Sequence, residues 1–366
     1  MSDELSANGK QFSYGGQAVI EGVLMRGAHT AAVACRNPQG QIVIHETPLN
    51  QKVYRGRIAK TPFVRGLVLL WDAMGLGTRA LMWSADVAVA EEDDEQPLFD
   101  GPLGWGTLAV SFTLAIGLFF LLPLFASRGI EAGLNQVLGP SEAVVVESTT
   151  SAPGTENLTV EPDQQIEQTS DRSSFGRAVL ANVLEGIVRL IIVIAYIWAI
   201  GRIPDVKRLF GYHGAEHKTI NAYEAGAELT PEVVQQYPIE HPRCGTAFLL
   251  NVVVVSILVF ALMGNPPGVA GFIFLVVTRI VFIPVIAGIA YEWLRWTAKN
   301  AHRPWVAAMI KPNLALQHLT TNEPDLGMVE TAIVAFKRVL VSEDVISEDE
   351  AQIPEPRPEM AHVISG

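Results

Sequence analysis

Cysteine is almost missing from this chain of 366 residues: there are two, Cys35 and Cys244. Two are too few for a disulfide framework, so the fold has to rest on packing. Charge is scarce as well. Only 17% of residues are Asp, Glu, Lys or Arg, and mean hydropathy is +0.28, an apolar balance for a chain of this length. Nor is there a basic excess. The formal net charge is −12 at pH 7, with the acids gathered in loops and near the C-terminus, which argues against nucleic acid as a partner. The first ten residues are polar and lack the charged-then-apolar pattern of a signal peptide, so none is expected. No internal repeat is evident.

What the chain has instead is long apolar runs. Residues 103–126, 180–203, 246–264 and 269–293 each come close to or exceed the ~20 residues that cross ~30 Å of hydrocarbon at 1.5 Å per residue. Asn265-Pro266-Pro267-Gly268 is a tight turn between the last two. Residues 127–174 are rich in Ser, Thr, Glu and Pro and are expected to form a disordered extracytoplasmic loop. Disorder is also expected for residues 1–10 and 342–366, and the acidic run 91–95 reads as a linker. Lys and Arg number nine in residues 1–102, three in 127–181, five in 202–245, none in the short turn and seven from Arg295 onward. The positive-inside rule then puts the N-terminus, the 204–245 motif loop and the 294–341 tail in the cytoplasm.

The expected fold is an α-helical membrane protein: four transmembrane helices, a small β-rich N-terminal cytoplasmic domain at 11–60, and an amphipathic interfacial helix at 61–90. In the first domain, residues 31–36 and 41–48 flank Asn37-Pro38-Gln39-Gly40, which predicts a hairpin. In the amphipathic helix, Arg65, Asp72, Arg79 and Asp86 recur every seven residues and share one stripe. That stripe faces water if the helix lies in the membrane interface, or packs against the polar motifs if it does not. Residues 328–341 have helical apolar spacing and should fold back on the cytoplasmic domain. The lipid bilayer is the expected partner, and a homo-oligomer is compatible with this plan.

Chemistry concentrates in two polar islands. The stretch 211–224 reads G-Y-H-G-A-E-H-K-T-I-N-A-Y-E. On a helix, His213 and His217 lie one turn apart on one face, with Glu216 beside them. They spell H-x-x-E-H, the inverted zincin order, in which two histidines bind a divalent metal, zinc above all, and the glutamate is the general base. The second island, His241-Pro242-Arg243-Cys244-Gly245, offers two more ligands in His241 and Cys244. Three protein ligands leave a catalytic position open; all four close the site and make it structural. A metal-free polar pocket is the third alternative. Glu224 and Glu21 are further carboxylates. Glu21 sits among Ala18-Val19-Ile20 and Gly22-Val23-Leu24, where an unpaired charge is costly. It is expected either to pair with a cation such as Arg26 or to serve the metal site, as a ligand or as an acceptor holding an imidazole. Within the apolar runs, Glu185 and Arg189 are four residues apart, and Arg279 lies near the middle of the fourth run. Charges there face a bundle interior, as an internal ion pair or as a functional site such as a transport pathway.

Four runs carry a resemblance: Y-G-G-Q-A-V-I-E-G-V-L-M-R-G at 14–27, Y-H-G-A-E-H-K-T-I-N-A-Y-E at 212–224, H-P-R-C-G-T at 241–246 and L-T-T-N-E-P-D at 319–325. Together they resemble the YqhQ-like family, a bacterial domain of unknown function described as predicted metal-dependent membrane enzymes. The resemblance covers roughly residues 11–340 without the 127–174 insert. It implies residence in the bacterial inner (cytoplasmic) membrane and a metal site at His213, Glu216, His217, His241 and Cys244. Two functions follow as expectations. One is a metal-dependent hydrolase of peptide, lipid or nucleotide-like substrates; the other is a non-enzymatic membrane scaffold whose zinc holds a docking surface for a partner.

Overall fold

The computed structural model describes residues 14–49, 61–89, 102–123, 163–263 and 268–354, together with 125, 126, 129 and 133. The chain divides into two compact units, one of Met1–Phe112, Ala195–Val252 and Ala287–Gly366, the other of Thr113–Ile194 and Val253–Ile286.

In the first unit, β1 (Gly15–Val19), β2 (Gly22–Arg26), β3 (Thr30–Arg36) and β4 (Ile42–Pro48) form an antiparallel meander in the order β1-β2-β3-β4. Val19 pairs with Gly22, so Ile20 and Glu21 make a two-residue turn. The turn after β3 follows the residues that predict it: Asn37 Oδ1 accepts the Gln41 N–H at 2.8 Å, and Gly40 takes a φ of 80°. Successive residues of a strand point to opposite faces, and here both faces are covered, which is why β2 and β3 read as unbroken apolar runs. Val23, Met25, Ala32, Ala34 and Ile44 pack with residues of helices α4 (Pro204–Glu224) and α9 (Leu326–Ser342). Leu24, Val33, Cys35 and Val43 pack with Ala80, Trp83 and Val87 of helix α1 (Val64–Val89).

Along helix α1 the charged stripe is divided: Asp86 is buried and Arg65 pairs with Glu292, while Arg79 is exposed, as are Trp71, Met74 and Leu81. Helix α9 begins at Asp325, whose side chain accepts the Met328 N–H at 2.8 Å. The chain past Ser342 remains ordered as far as Pro354 and includes the short helix α10 (Glu348–Ala351). Glu343 accepts the N–H groups of Ala28 and His29, so the expected disorder from 342 gives way to a carboxylate that ties the β2–β3 turn.

The remaining elements are α2 (Pro102–Ile116, followed by a π-helical turn over Gly117–Leu121), α3 (Asp163–Ile200), the short α5 (Pro231–Val234), α6 (Gly245–Ala261), α7 (Gly268–Lys299) and α8 (Pro304–Gln317). Among the described residues, two helices are long and apolar enough to cross a membrane, over Asn182–Ile200 and Gly268–Lys299. The other two apolar runs, expected as spans at 103–126 and 246–264, give shorter apolar helices within the described residues, Trp105–Phe119 and Gly245–Ala261. Only 22% and 28% of the apolar windows in the two long helices are buried, far less than a soluble core helix buries. Helix α3 starts at Asp163, so the end of the insert expected to be disordered is helical; Gln, Glu and Ala favour helix there, and acids suit its first turns. The rest of that insert, the first ten residues and the last twelve lie outside the described residues.

Inside the second unit, Glu185 sits between two guanidinium groups. Arg189 Nη2 donates to its Oε1 at 2.8 Å, and Arg279 reaches both oxygens, Nε to Oε1 at 3.0 Å and Nη2 to Oε2. The internal ion pair is therefore the arrangement adopted.

Candidate metal centre

Helix α4 carries the first island. Pro204 opens it at a position where no N–H is needed, and Asp205 lies in its first turn. The four-residue spacing stacks His213 and His217 with ring centroids 4.5 Å apart. Each ring is held by a main-chain carbonyl at Nδ1, His213 by Thr320 at 2.8 Å and His217 by Ile239 at 2.6 Å. A carbonyl accepts only, so both Nδ1 atoms carry the proton, and in the neutral imidazole it is Nε2 that keeps the lone pair. That is the tautomer a metal requires, fixed by the outer contact usual for ligating histidines.

Cys244, at the start of α6, brings Sγ to 3.3 Å from His213 Nε2. Sγ also lies 3.1 Å from the Thr246 hydroxyl and accepts the Thr246 N–H at 3.4 Å. Donor atoms of His213, His217 and Cys244 all lie within 4.8 Å of one another. A set of two imidazoles and one thiol suits zinc.

Glu216 flanks this trio, with Oε2 3.9 Å from His213 Nε2. Burial pushes its carboxyl above the usual range; His213 and a hydrogen bond from the Gly16 N–H act in the opposite sense. Strand β1 can come this close only because residue 16 is glycine. A Cβ there would lie 2.9 Å from Glu216 Cγ and 2.6 Å from the Leu24 carbonyl oxygen. Gly214 has the same role on the other side of the helix, where a Cβ would collide with the Asn322 carbonyl.

Two expected participants are placed elsewhere. His241 is not among the converging donors. Gln317 clamps its main chain, accepting its N–H at 2.9 Å and donating to its carbonyl at 2.8 Å, so that Nε2 faces Glu224 Oε2 at 3.9 Å. Burial keeps this imidazole below its ordinary range and neutral. Glu21 pairs with Arg208 rather than with a histidine. Arg208 Nε and Nη2 meet its two oxygens at 2.6 and 2.5 Å, and the Tyr212 hydroxyl donates at 3.2 Å. The partner is thus Arg208 and not Arg26, because the two-residue turn projects Glu21 beyond the end of the strand and onto helix α4. Glu224 pairs with Arg243.

The sequence flags Gly16 among the glycines at 15, 16 and 22 that let the backbone approach a metal helix, and it does so here; the supports it missed are Thr320, Ile239, Gln317 and Thr246. Thr320 lies in the L-T-T-N-E-P-D run, whose family resemblance was its one signal. The Ile239 carbonyl and Gln317 carry no pattern of their own.

Comparison with known proteins agrees with the motifs. A family model described as "Protein of unknown function (DUF1385)" matches residues 61–342. "Uncharacterized protein YqhQ" of Bacillus subtilis (strain 168) is 31% identical over 331 residues, covering 90% of this chain and 92% of the relative. No solved structure matches the chain.

Proposed function

The chain belongs to the DUF1385 family of YqhQ-like proteins, and we propose that it is a metal-dependent membrane hydrolase whose zinc would be held by His213, His217 and Cys244, with Glu216 as general base. One observation carries this reading: two imidazoles with protonated Nδ1 and free Nε2 converge with a thiol, beside a buried carboxylate. Three protein donors correspond to an open, catalytic coordination; the His241 ring lies outside that trio, with its buried Nε2 3.9 Å from Glu224 Oε2 and without a hydrogen-bond partner among the described residues. Zinc in such a site supplies Lewis-acid chemistry at its open position. Glu216 takes a proton at its carboxylate, and its burial-raised affinity for protons suits it to accept one and pass it to a leaving group. The buried flanks of β1 and α4 exclude bulk water from that carboxylate.

The membrane part of the proposal is four spans in the bacterial inner membrane, with α2 and α6 crossing beside the two longer helices and both termini in the cytoplasm. It is supported by the Lys/Arg asymmetry and by rows of exposed apolar residues, among them Ile187, Ile191, Leu258, Leu262, Ile280 and Val281.

Metal analysis of the purified full chain should find stoichiometric zinc that His213→Ala, His217→Ala and Cys244→Ser each lose. Glu216→Gln should keep the zinc and abolish turnover across a panel of peptide, phospholipid and nucleotide substrates. The rings of His217 and His241 are 5.6 Å apart, which keeps a closed, structural site in view. If His241→Ala releases zinc as readily as His213→Ala, and Glu216→Gln changes nothing, the protein is a scaffold.

A further inference from the structure

The two long apolar helices end alike, on tryptophan beside a base. α3 carries Trp198 in its last turn, and the Arg202 guanidinium lies over that ring, with Cζ 3.1 Å from the centroid. α7 continues unbroken past its apolar stretch through Trp293, Arg295 and Trp296 to Lys299, its last residue. The turn that follows puts Arg303 at the N-cap of α8 and Trp305 in its first turn. At this corner the rings stack in a row, with centroids 5.6 Å apart for Trp293 and Trp296 and 5.5 Å apart for Trp296 and Trp305. Thr297, Val306 and Ile310 fill the buried side of the corner, whereas the three indoles stay 42%, 40% and 53% exposed. Arg295, Lys299 and Arg303 are exposed alongside them. None of the three has an ion-pair partner among the described residues. Glu292, the one acid within residues 287–317, is held by Arg65.

A row of exposed indoles is poorly served by water, and three bases are poorly served by hydrocarbon. The headgroup layer of a bilayer suits both. An indole lays its apolar body toward the acyl chains and its N–H toward polar groups, while guanidinium and ammonium groups meet phosphate. Bases alone would tolerate any phospholipid surface; three in one corner favour an anionic one. A second copy packed on the same corner by two-fold symmetry would bring like charges together. We propose that the α7–α8 corner is a docking site for anionic phospholipid of the phosphatidylglycerol type, with Trp293, Trp296 and Trp305 at headgroup depth and Arg295, Lys299 and Arg303 on the phosphate. The site rests on the membrane reading given above and is independent of the metal centre. It lies in the tail that the Lys/Arg asymmetry assigns to the cytoplasm, and the cytoplasmic leaflet is the one with a negative surface potential.

The test uses the full chain in detergent micelles. Its melting temperature is followed as phosphatidylglycerol, phosphatidylcholine or glycerol phosphate, which has no acyl chains, is added. A saturable rise with phosphatidylglycerol that exceeds the rise with either of the others is expected. Arg295→Gln, Lys299→Gln and Arg303→Gln should each weaken the apparent affinity about fivefold, and the triple change about a hundredfold. These side chains are exposed, so the variants should fold, and the comparison of lipids on the wild-type chain needs no variant. No rise, an equal rise with phosphatidylcholine or glycerol phosphate, or undiminished affinity in a folded triple variant overturns the proposal. A dimer that Trp296→Ser dissociates, followed by light scattering, would assign the corner to a second copy and overturn it too. Alkaline carbonate extraction of cell membranes separates the two readings. A chain washed off the membrane defeats the membrane reading and this site with it; a chain that resists extraction yet ignores phosphatidylglycerol defeats this site alone.

Discussion

Glu216 owes its environment to a residue with no side chain. Gly16 lets β1 lie against helix α4 and gives the carboxylate its one main-chain donor. In Gly16→Ala the new methyl would lie 2.6 Å from the Leu24 carbonyl, which belongs to the paired strand and cannot move aside. We expect a loss of about 1–3 kcal/mol, typical of overpacking, together with weaker zinc retention. Denaturant unfolding and metal analysis of the same preparation check both. Glu21 acts differently. It occupies a left-handed conformation, φ 50°, that L-residues avoid, and its fork with Arg208 stabilises that turn. Hydrogen bonding to Arg208 holds its carboxyl below the usual range, and burial opposes this. A depressed folded value gives stability that is present above the unfolded value and lost as pH falls through the folded one. Glu21→Gln should therefore cost about 0.5–1 kcal/mol at pH 7, modest because Arg208 is half exposed. The difference should shrink as pH falls through the folded value of this carboxyl, below which wild type and variant carry the same charge there. Zinc content should stay unchanged, since Glu21 touches none of the three donors.

At the scale of the element, α9 matters most to the first unit. Its Phe336 is fully buried, in edge contact with Tyr14 and Tyr223, and so joins β1 and α4 through one aromatic cluster. Phe336→Ala should cost about 3–5 kcal/mol, enough to unfold a marginal domain. Asp325→Ala removes the N-cap and should cost about 1 kcal/mol. The cap also follows directly on the 319–324 segment that supplies the Thr320 carbonyl to His213. Hydrogen exchange should therefore rise in the first turn of α9 in Asp325→Ala, with the β-sheet amides unaffected. Protection lost across the sheet as well would mean that the cap is part of the cooperative core.

For the whole molecule, the exposed surface of α3, α6 and α7 is apolar in a way that water does not favour. Ile191, Leu258, Leu262, Val269 and Ile280 are all exposed. The orientation that places this surface in lipid is testable without knowing the substrate. A reporter fused at residue 230 should be cytoplasmic, and single cysteines introduced at residues 140–155 should be labelled by an impermeant reagent in intact cells. A protected 140–155 segment, or an extracytoplasmic residue 230, reverses the orientation.

Local features were legible in the sequence. The histidine pair reads from a four-residue period, the β3–β4 turn from Asn37 and Gly40, and the apolar helices from runs without charge, because each depends only on neighbours along the chain. The length of those helices was less legible, since an end such as that at Ala261 depends on packing as well as on composition. Partner choice was not legible at all. His241 and Cys244 are three residues apart and both are good ligands, yet one turns to Glu224 and the other to His213 because Gln317, more than seventy residues away, clamps the main chain between them. Glu21 has Arg26 nearby in sequence, but the hairpin carries it to Arg208. Glu185 could be paired locally with Arg189, and only the approach of α7 adds Arg279 as a second partner. Periodicity determines which face of an element a residue occupies. Which residue it meets there is decided by topology, through contacts whose cost and gain appear only when distant segments close on one another.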